Sequence, residues 1–403
     1  MKNSYVKGFY PVVWVLVACL VVGVIVHQLV GADAEVEPEP FALTDFLSTD
    51  RSDSDEMARY QKADPEYQLR FPEDHADHPG FRSEWWYLNG NLRHRDDPSQ
   101  RFGFQFTVFR QALAPNADRD TDPQQTDWLA PQFYMGHVGL ADFARKQHLA
   151  AERFSRQGPG LAGITAAPLR VWLEGWSLAA DSPAALFPAT LEAHVQGEDG
   201  HFSYRLRVVP EKPLVLQGQN GYSPKRPEAG FASHYYSYTR LRVEGEIQLE
   251  GEWLPVVGSA WYDHEWSSNS LAPYQAGWDW FSIQLDDGHD LMVMALRSKK
   301  SSGKADFMQA SMFDASGRSV ELHTRDIQLE VLEHWCADDG VCWPSGWRLQ
   351  IPSKALDLTI RPRLKSQENR LAVRYWEGAI TVNGSHTGEG YVELTGYADR
   401  EED

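Results

Sequence analysis

Beyond residue 80, apolar residues recur at every second position. Phe102-Gly-Phe-Gln-Phe-Thr-Val-Phe109 carries Phe at alternate positions up to Phe106, and Tyr204-Arg-Leu-Arg-Val-Val and Leu356-Asp-Leu-Thr-Ile-Arg keep the same rhythm. A period of two with one apolar face predicts half-buried β-strands. Turn dipeptides punctuate them, with Asn-Gly at 89–90, 220–221 and 383–384 and Asp-Gly at 199–200, 287–288 and 339–340. Such pairs supply the positive φ angles of tight hairpins. No long amphipathic helix competes with them. The body reads as antiparallel β-structure.

The N-terminus follows another pattern. Phe9 to Val30 is almost continuously apolar, no formal charge lies between Lys7 and Asp33, and Lys2 and Lys7 precede the run while Asp33, Glu35, Glu37 and Glu39 follow it. That asymmetry keeps the N-terminus inside and sends the rest across a membrane. The run is long enough to span a bilayer, so a retained anchor through residues 9–31 is the first reading. A signal cleaved at Ala32-Asp33-Ala34, or a lipid on Cys19, are the alternatives. All three export the body. Residues 1–34 are thus a signal segment, and 35–74 an acidic linker or surface arm rich in Pro, Asp, Glu and Ser.

Motifs recur in order along the body. Trp85-Trp86-Tyr87 opens a hairpin that closes at Phe109-Arg110, and Trp278-Asp-Trp280-Phe281 opens another that closes at Leu296-Arg297. Trp172-Leu-Glu-Gly-Trp176-Ser-Leu178 and Trp343-Pro-Ser-Gly-Trp347-Arg-Leu349 share Trp-x-x-Gly-Trp-x-Leu. The repetition predicts a duplication, with domains at 75–245 and 246–403. A half of about 160 residues with about eight strands fits a small barrel or sandwich able to hold one apolar ligand.

Composition narrows the partners. The 403 residues carry a net charge of −19, which repels phosphate backbones, so nucleic acid is not an expected partner. With 15 Trp, 16 Tyr and 18 Phe, the chain is rich in stiff aromatics suited to strands and apolar pockets. Cys336 and Cys342 flank Ala-Asp-Asp-Gly-Val. In an oxidising compartment they form a small hairpin disulfide; otherwise they are two free thiols near a loop.

The densest chemical cluster is Trp261-Tyr-Asp263-His264-Glu265-Trp266. On a strand Trp261, Asp263 and Glu265 share one face, and Tyr262, His264 and Trp266 the other. An acid among aromatics is either a proton donor with a raised pKa or a strand-end hydrogen-bonding group. His234-Tyr-Tyr236-Ser-Tyr238 lies one hairpin earlier, on a strand expected to end before Gly245. If that strand pairs with the one bearing Asp263, His234 can orient or recharge the acid; otherwise it is a rim histidine beside core tyrosines. Asp74, His75, Asp77 and His78 could ligate a metal, or form a solvated turn; no metal is expected. Gly158-Pro-Gly160-Leu-Ala-Gly163 matches a dinucleotide fingerprint but lacks a βαβ context. No Gly-x-Ser-x-Gly elbow, His-Glu-x-x-His or phosphate loop is present.

These motifs together resemble the AttH/CrtC-like family. Its opening signature is similar to His78-Pro79 and Ser83-Glu-Trp85-Trp86-Tyr87-Leu-Asn-Gly90, its central one to Trp261–Trp266 and Gly277–Gly288, and its closing one to Tyr375-Trp-Glu377-Gly378 and Gly390–Gly396. The resemblance implies two lipocalin-like antiparallel β-barrels in tandem after the N-terminal helix, and no cofactor. It points to carotenoid hydratases, to cyclases of polyene-like substrates and to a group labelled secreted hydrolases. By position in the motif, the hydratases' proton donor falls on Asp263 and its supporting histidine on His234. The two accompanying aromatics fall on Trp261 and Tyr236, with Tyr and Trp exchanged relative to the hydratases. Trp86 and Trp280 complete the expected ligand-binding set.

The mechanism this implies starts with a neutral Asp263 protonating an alkene. Aromatic faces then stabilise the cation, and water adds as His234 or the regenerated carboxylate takes its proton. The competing reading is a membrane-tethered carrier of a hydrophobic molecule or lipid with no chemistry; a hydrolase ranks third. Export argues against a carotenoid substrate made on the cytoplasmic side.

Overall fold

The computed structural model describes residues 59–113, 115, 132–158, 160–197, 200–227, 230–269, 271–299 and 305–398. The apolar run at 9–31 and the acidic stretch up to 58 lie outside them. Among the described residues the alternating segments form 23 strands in two antiparallel sheets. The first holds β1 (Ser83–His94), β2 (Arg101–Ala112), β3 (Gln132–Asp142), β4 (Gln147–Arg156), β5 (Ala162–Ala166), β6 (Leu169–Leu173), β7 (Trp176–Ser182), β8 (Ala185–Gly197), β9 (Gly200–Pro210), β10 (Val215–Leu216), β11 (Tyr222–Pro224), β12 (Ala232–Leu249) and β13 (Glu252–Ser267). The second holds β14 (Gln275–Leu285), β15 (Asp290–Ser298), β16 (Ala305–Phe313), β17 (Ser319–His323), β18 (Gln328–Cys336), β19 (Cys342–Ile351), β20 (Leu356–Pro362), β21 (Glu368–Arg370), β22 (Arg374–Gly384) and β23 (Gly388–Leu394).

The strand orders are β4-β3-β2-β1-β13-β12-β9-β8-β7-β6-β5 and β17-β16-β15-β14-β23-β22-β20-β19-β18. Each half thus closes its last strand onto its first. The first sheet curls into a nearly closed barrel and the second into a half-barrel, the tandem lipocalin-like plan. Period-two patterning fills each interior. Phe102, Phe104, Phe106 and Val108 enter the first core beside Trp86, Trp176 and Trp266. Trp343, Trp347 and Trp376 fill the second.

Two expectations shift. The two sheets meet at 268–274, not at 245/246, because β12 runs through Gly245 and pairs with β9 and β13 on both sides of it. Gly245 reads as a strand end, but its φ of 155° lets the chain bend against β9, where a Cβ would lie 2.2 Å from the Arg205 carbonyl oxygen. Nor do the two Trp-x-x-Gly-Trp copies share a structure. Glu174 and Gly175 turn the chain between β6 and β7, whereas Trp343 to Trp347 all lie within β19. The duplication lives in the strand order and in the opening hairpins β1–β2 and β14–β15. Cys336 and Cys342 are joined by a disulfide across the β18–β19 turn.

Gly245→Ala forces a side chain into that backbone contact at an unfavourable φ. It should cost about 1–3 kcal/mol in urea unfolding, with the strand content of the surviving folded state unchanged.

Candidate active site between the two sheets

Strand β13 is buried on both faces along Ala260–Ser267, because the second sheet covers what would be its solvent side. Register then sorts its residues. Ser237 on β12, Asp263 on β13, Tyr87 on β1 and Thr107 on β2 form one cross-strand row facing outward from the first barrel. Tyr235, Glu265, Trp85 and Phe109 form the next. On the second sheet Trp280, Glu393 and Glu377 are successive partners across β14, β23 and β22. These rows face each other around a cleft of about 710 Å³, its mouth included, which Trp278, Leu271, Met294, Leu296 and Tyr375 also line.

Asp263 is the focus of the first wall. Its Oδ1 accepts the Trp261 indole N–H at 2.7 Å and the Ser237 hydroxyl, and Tyr235 adds a further hydrogen bond. All three donors are neutral. Burial raises the carboxyl pKa to about 7, and the hydrogen bonds only partly offset it. Glu265 differs because Lys225 Nζ sits 2.5 Å from its Oε1 and the Ser233 hydroxyl donates to the same atom. One carboxyl is ion-paired while its neighbour two residues away is poised to hold a proton.

The second wall carries another unpaired set. Glu377 accepts the Tyr87 hydroxyl at 2.5 Å from the opposite sheet and also bonds Tyr375. Burial, then the charge of Glu393, raises Glu377 well above the ordinary glutamate range. Burial also raises Glu393, against a hydrogen bond from Trp278. Two such carboxyls side by side keep at least one proton between them at neutral pH.

The expected site residues divide across β13. Asp263 and Trp280 line the cleft, and Trp261 stands behind, its N–H on Asp263 and its ring edge-to-face with Trp280 at 6.3 Å. His234, Tyr236 and Trp86 do not join them. His234 pairs with Trp266 and Tyr236 with His264, so strand alternation turns both into the first barrel, away from Asp263. His234 cannot orient or recharge the acid from there. Its Nε2 accepts the Asp64 amide at 3.3 Å, its ring packs on Tyr67, and burial lowers its pKa to about 4. Trp86 stacks on His264 with ring centroids 4.7 Å apart.

That inner face carries an ion-pair hub. Glu84 Oε1 lies 2.7 Å from His78 Nδ1 and 2.8 Å from His264 Nε2, and Arg110 Nε donates to Oε2 at 2.8 Å. His78 also meets Asp74 at 3.2 Å, and Tyr236 bridges His75 and His264. The two carboxylates raise His78 to about 9 against its burial, and Arg110 then His78 hold Glu84 well below the ordinary range. The solvated turn expected at 74–78 is instead buried at Asp74 and His75, under an arm in which Phe71 packs on Tyr236. His78, Glu84 and His264 bring ligand atoms within 4.8 Å, a possible cation cage. Hydrogen bonds and Arg110 already satisfy that geometry as a structural ion-pair network.

Lys225, Tyr235, Tyr87, Trp278, Glu377 and Glu393 escaped the sequence reading as functional groups. The available signal was an acid placed directly after two apolar residues, in Tyr375-Trp-Glu377 and in Tyr391-Val-Glu393. Pairing them required the register.

A carboxyl raised in the fold makes stability fall as pH rises, because the folded state holds a proton that the unfolded chain has released. For Asp263 the window runs from about pH 4 to its pKa of about 7. Asp263→Asn should therefore gain stability over wild type at pH 8, by up to about 4 kcal/mol, and little at pH 4, read by urea unfolding at both.

Residues 62–397 match the AttH-like family. A protein of Nitrosomonas europaea assigned as AttH has a similar structure, with 32% identity, a TM-score of 0.73, and coverage of 84% of this chain and 99% of that one. Kievitone hydratase of Nectria haematococca shares the fold at 13% identity and a TM-score of 0.59, covering 83% of this chain and 95% of its own. No curated protein matches. With the family signature spanning both sheets and a relative similar over nearly its whole length, the chain belongs to the AttH-like family.

Proposed function

We propose that this protein is an exported enzyme that binds an apolar, isoprenoid- or lipid-like molecule in the cleft between its sheets and starts an addition of water or a cyclisation by protonating it from Asp263. The observation that carries this reading is a fully buried carboxyl, raised to about 7, in an aromatic-walled cleft. A general acid works best with its pKa near the working pH, and the proton then stays available without a metal-bound water or activated nucleophile. Trp85, Trp278 and Trp280 offer the cation-stabilising faces that Trp261 and Tyr236 were expected to supply. That a hydratase shares this fold is a likeness of fold alone. The apolar run at 9–31 and the Cys336–Cys342 bond support export to an oxidising compartment, with the body outside the inner membrane, tethered or released.

The test is native mass spectrometry with organic extraction, comparing the full-length wild type with Asp263→Asn, each produced by export. The expected result is one apolar compound in both, converted by the wild type and recovered unreacted, or slowed by about 10²–10⁴, in the variant. The same unchanged compound in both makes the protein a carrier. No ligand in either would overturn the reading and return attention to hydrolysis.

A further inference from the structure

Lys225 and Glu265 put an ion pair into the wall of the cleft, beside Tyr235 and Met294. Both residues are buried. A buried pair is favourable only where its remaining hydrogen-bonding capacity is met, and here it is met in part. Lys225 Nζ lies 2.5 Å from Glu265 Oε1 and 3.3 Å from Ser223 Oγ, but its third neighbour is the Met294 thioether at 3.7 Å, a weak acceptor. On Glu265 both partners, Lys225 and the Ser233 hydroxyl, fall on Oε1. Its Oε2 takes no hydrogen bond among the described residues. One ammonium N–H and one carboxylate oxygen are thus underused within a single ion pair that borders the ligand's space.

A hydroxyl group answers both needs at once, since its oxygen accepts from Nζ while its hydrogen goes to Oε2. An ether or ketone answers only the first. A carboxylate is repelled by Glu265, and an ammonium by Lys225. Asp263 stands two residues from Glu265 on the same face of β13, about 7 Å along the strand. Resting on the reading above, we propose that Lys225 and Glu265 form a hydroxyl-binding subsite, so that the substrate is an apolar alkenol held by its oxygen about 7 Å from the carbon that Asp263 protonates. The two residues touch no reacting atom; they position the substrate. An apolar chain with several similar double bonds can slide in an aromatic cleft, and a fixed oxygen presents one of those bonds to the acid.

Calorimetric binding of octan-1-ol, its isomer heptyl methyl ether, octanoate and octylammonium to the full-length protein at pH 6, each below its micelle concentration, tests this without a known substrate. Wild type should bind the alcohol about tenfold or more tighter than the ether, with both charged probes weaker than the alcohol. In Lys225→Met/Glu265→Met, which removes both charges together, that preference should fall to about parity while the ether binds as before, which also reports an intact cleft. If this variant does not fold, Lys225→Met/Glu265→Gln, which keeps a partner for Ser233, should reduce the preference. An alcohol that binds no tighter than the ether in wild type, a charged probe that binds tighter than the alcohol, or a preference unchanged in the variants overturns the assignment and leaves the apolar-cleft reading standing. Failure of all four probes to bind overturns both.

Discussion

A carboxyl group enclosed between two sheets, with only neutral hydrogen-bond donors around it, is the constraint from which the rest of this structure follows. Burial of an unpaired carboxylate is costly, and Asp263 meets that cost by holding a proton up to about pH 7. It can do so only because the outer face of β13 is covered. In a free-standing barrel that face would be wet, and Asp263 would be an ordinary surface acid. The second sheet is therefore more than a duplicate: it supplies the dry roof, three of the aromatic walls and two further acids. Direct bonds hold the two sheets in register, including Tyr87 to Glu377, Trp280 to Tyr235, and Asn91 to the Gly390 carbonyl.

The two faces of one strand have opposite electrostatic designs. Inside the first barrel, Glu84 is ion-paired with Arg110 and His78, and this hub ties β1, β2 and the 72–81 turn together. Breaking such a buried pair costs far more than it contributes, which suits a structural role. One residue away along β13, with its side chain on the other face, Asp263 has no such partner. Alternation of side chains keeps the charged hub and the neutral acid apart, so each retains the protonation state that its role requires.

Much of the fold was legible in the chain. The Phe alternation in β2, the turns at 220–221, 287–288 and 339–340, and the Trp-led opening hairpins were local signals, and local signals specify strands well, although Asn89-Gly90, expected as a turn, lies within β1. The sheet junction was missed because Gly245 in sequence looks like an end and in space is a bend. The site was half legible. Asp263 stood out as an acid among aromatics, but His234 was attached to it through an assumed pairing, without the parity of that pairing. The pairing exists; Ser237, not His234, is the residue opposite Asp263. Glu377 and Glu393 come from the far end of the chain, and no pattern within β22 or β23 says that both turn toward β13.

The central claim is that Asp263 keeps its proton up to about pH 7. Infrared difference spectroscopy with ¹³C-labelled aspartate reads this directly, since a protonated carboxyl and a carboxylate absorb apart. The account predicts a protonated aspartate band at pH 6 that titrates with a midpoint near 7 and is missing in Asp263→Asn. An Asp263 signal that is already carboxylate at pH 6, or whose midpoint falls near the ordinary aspartate value, would contradict it.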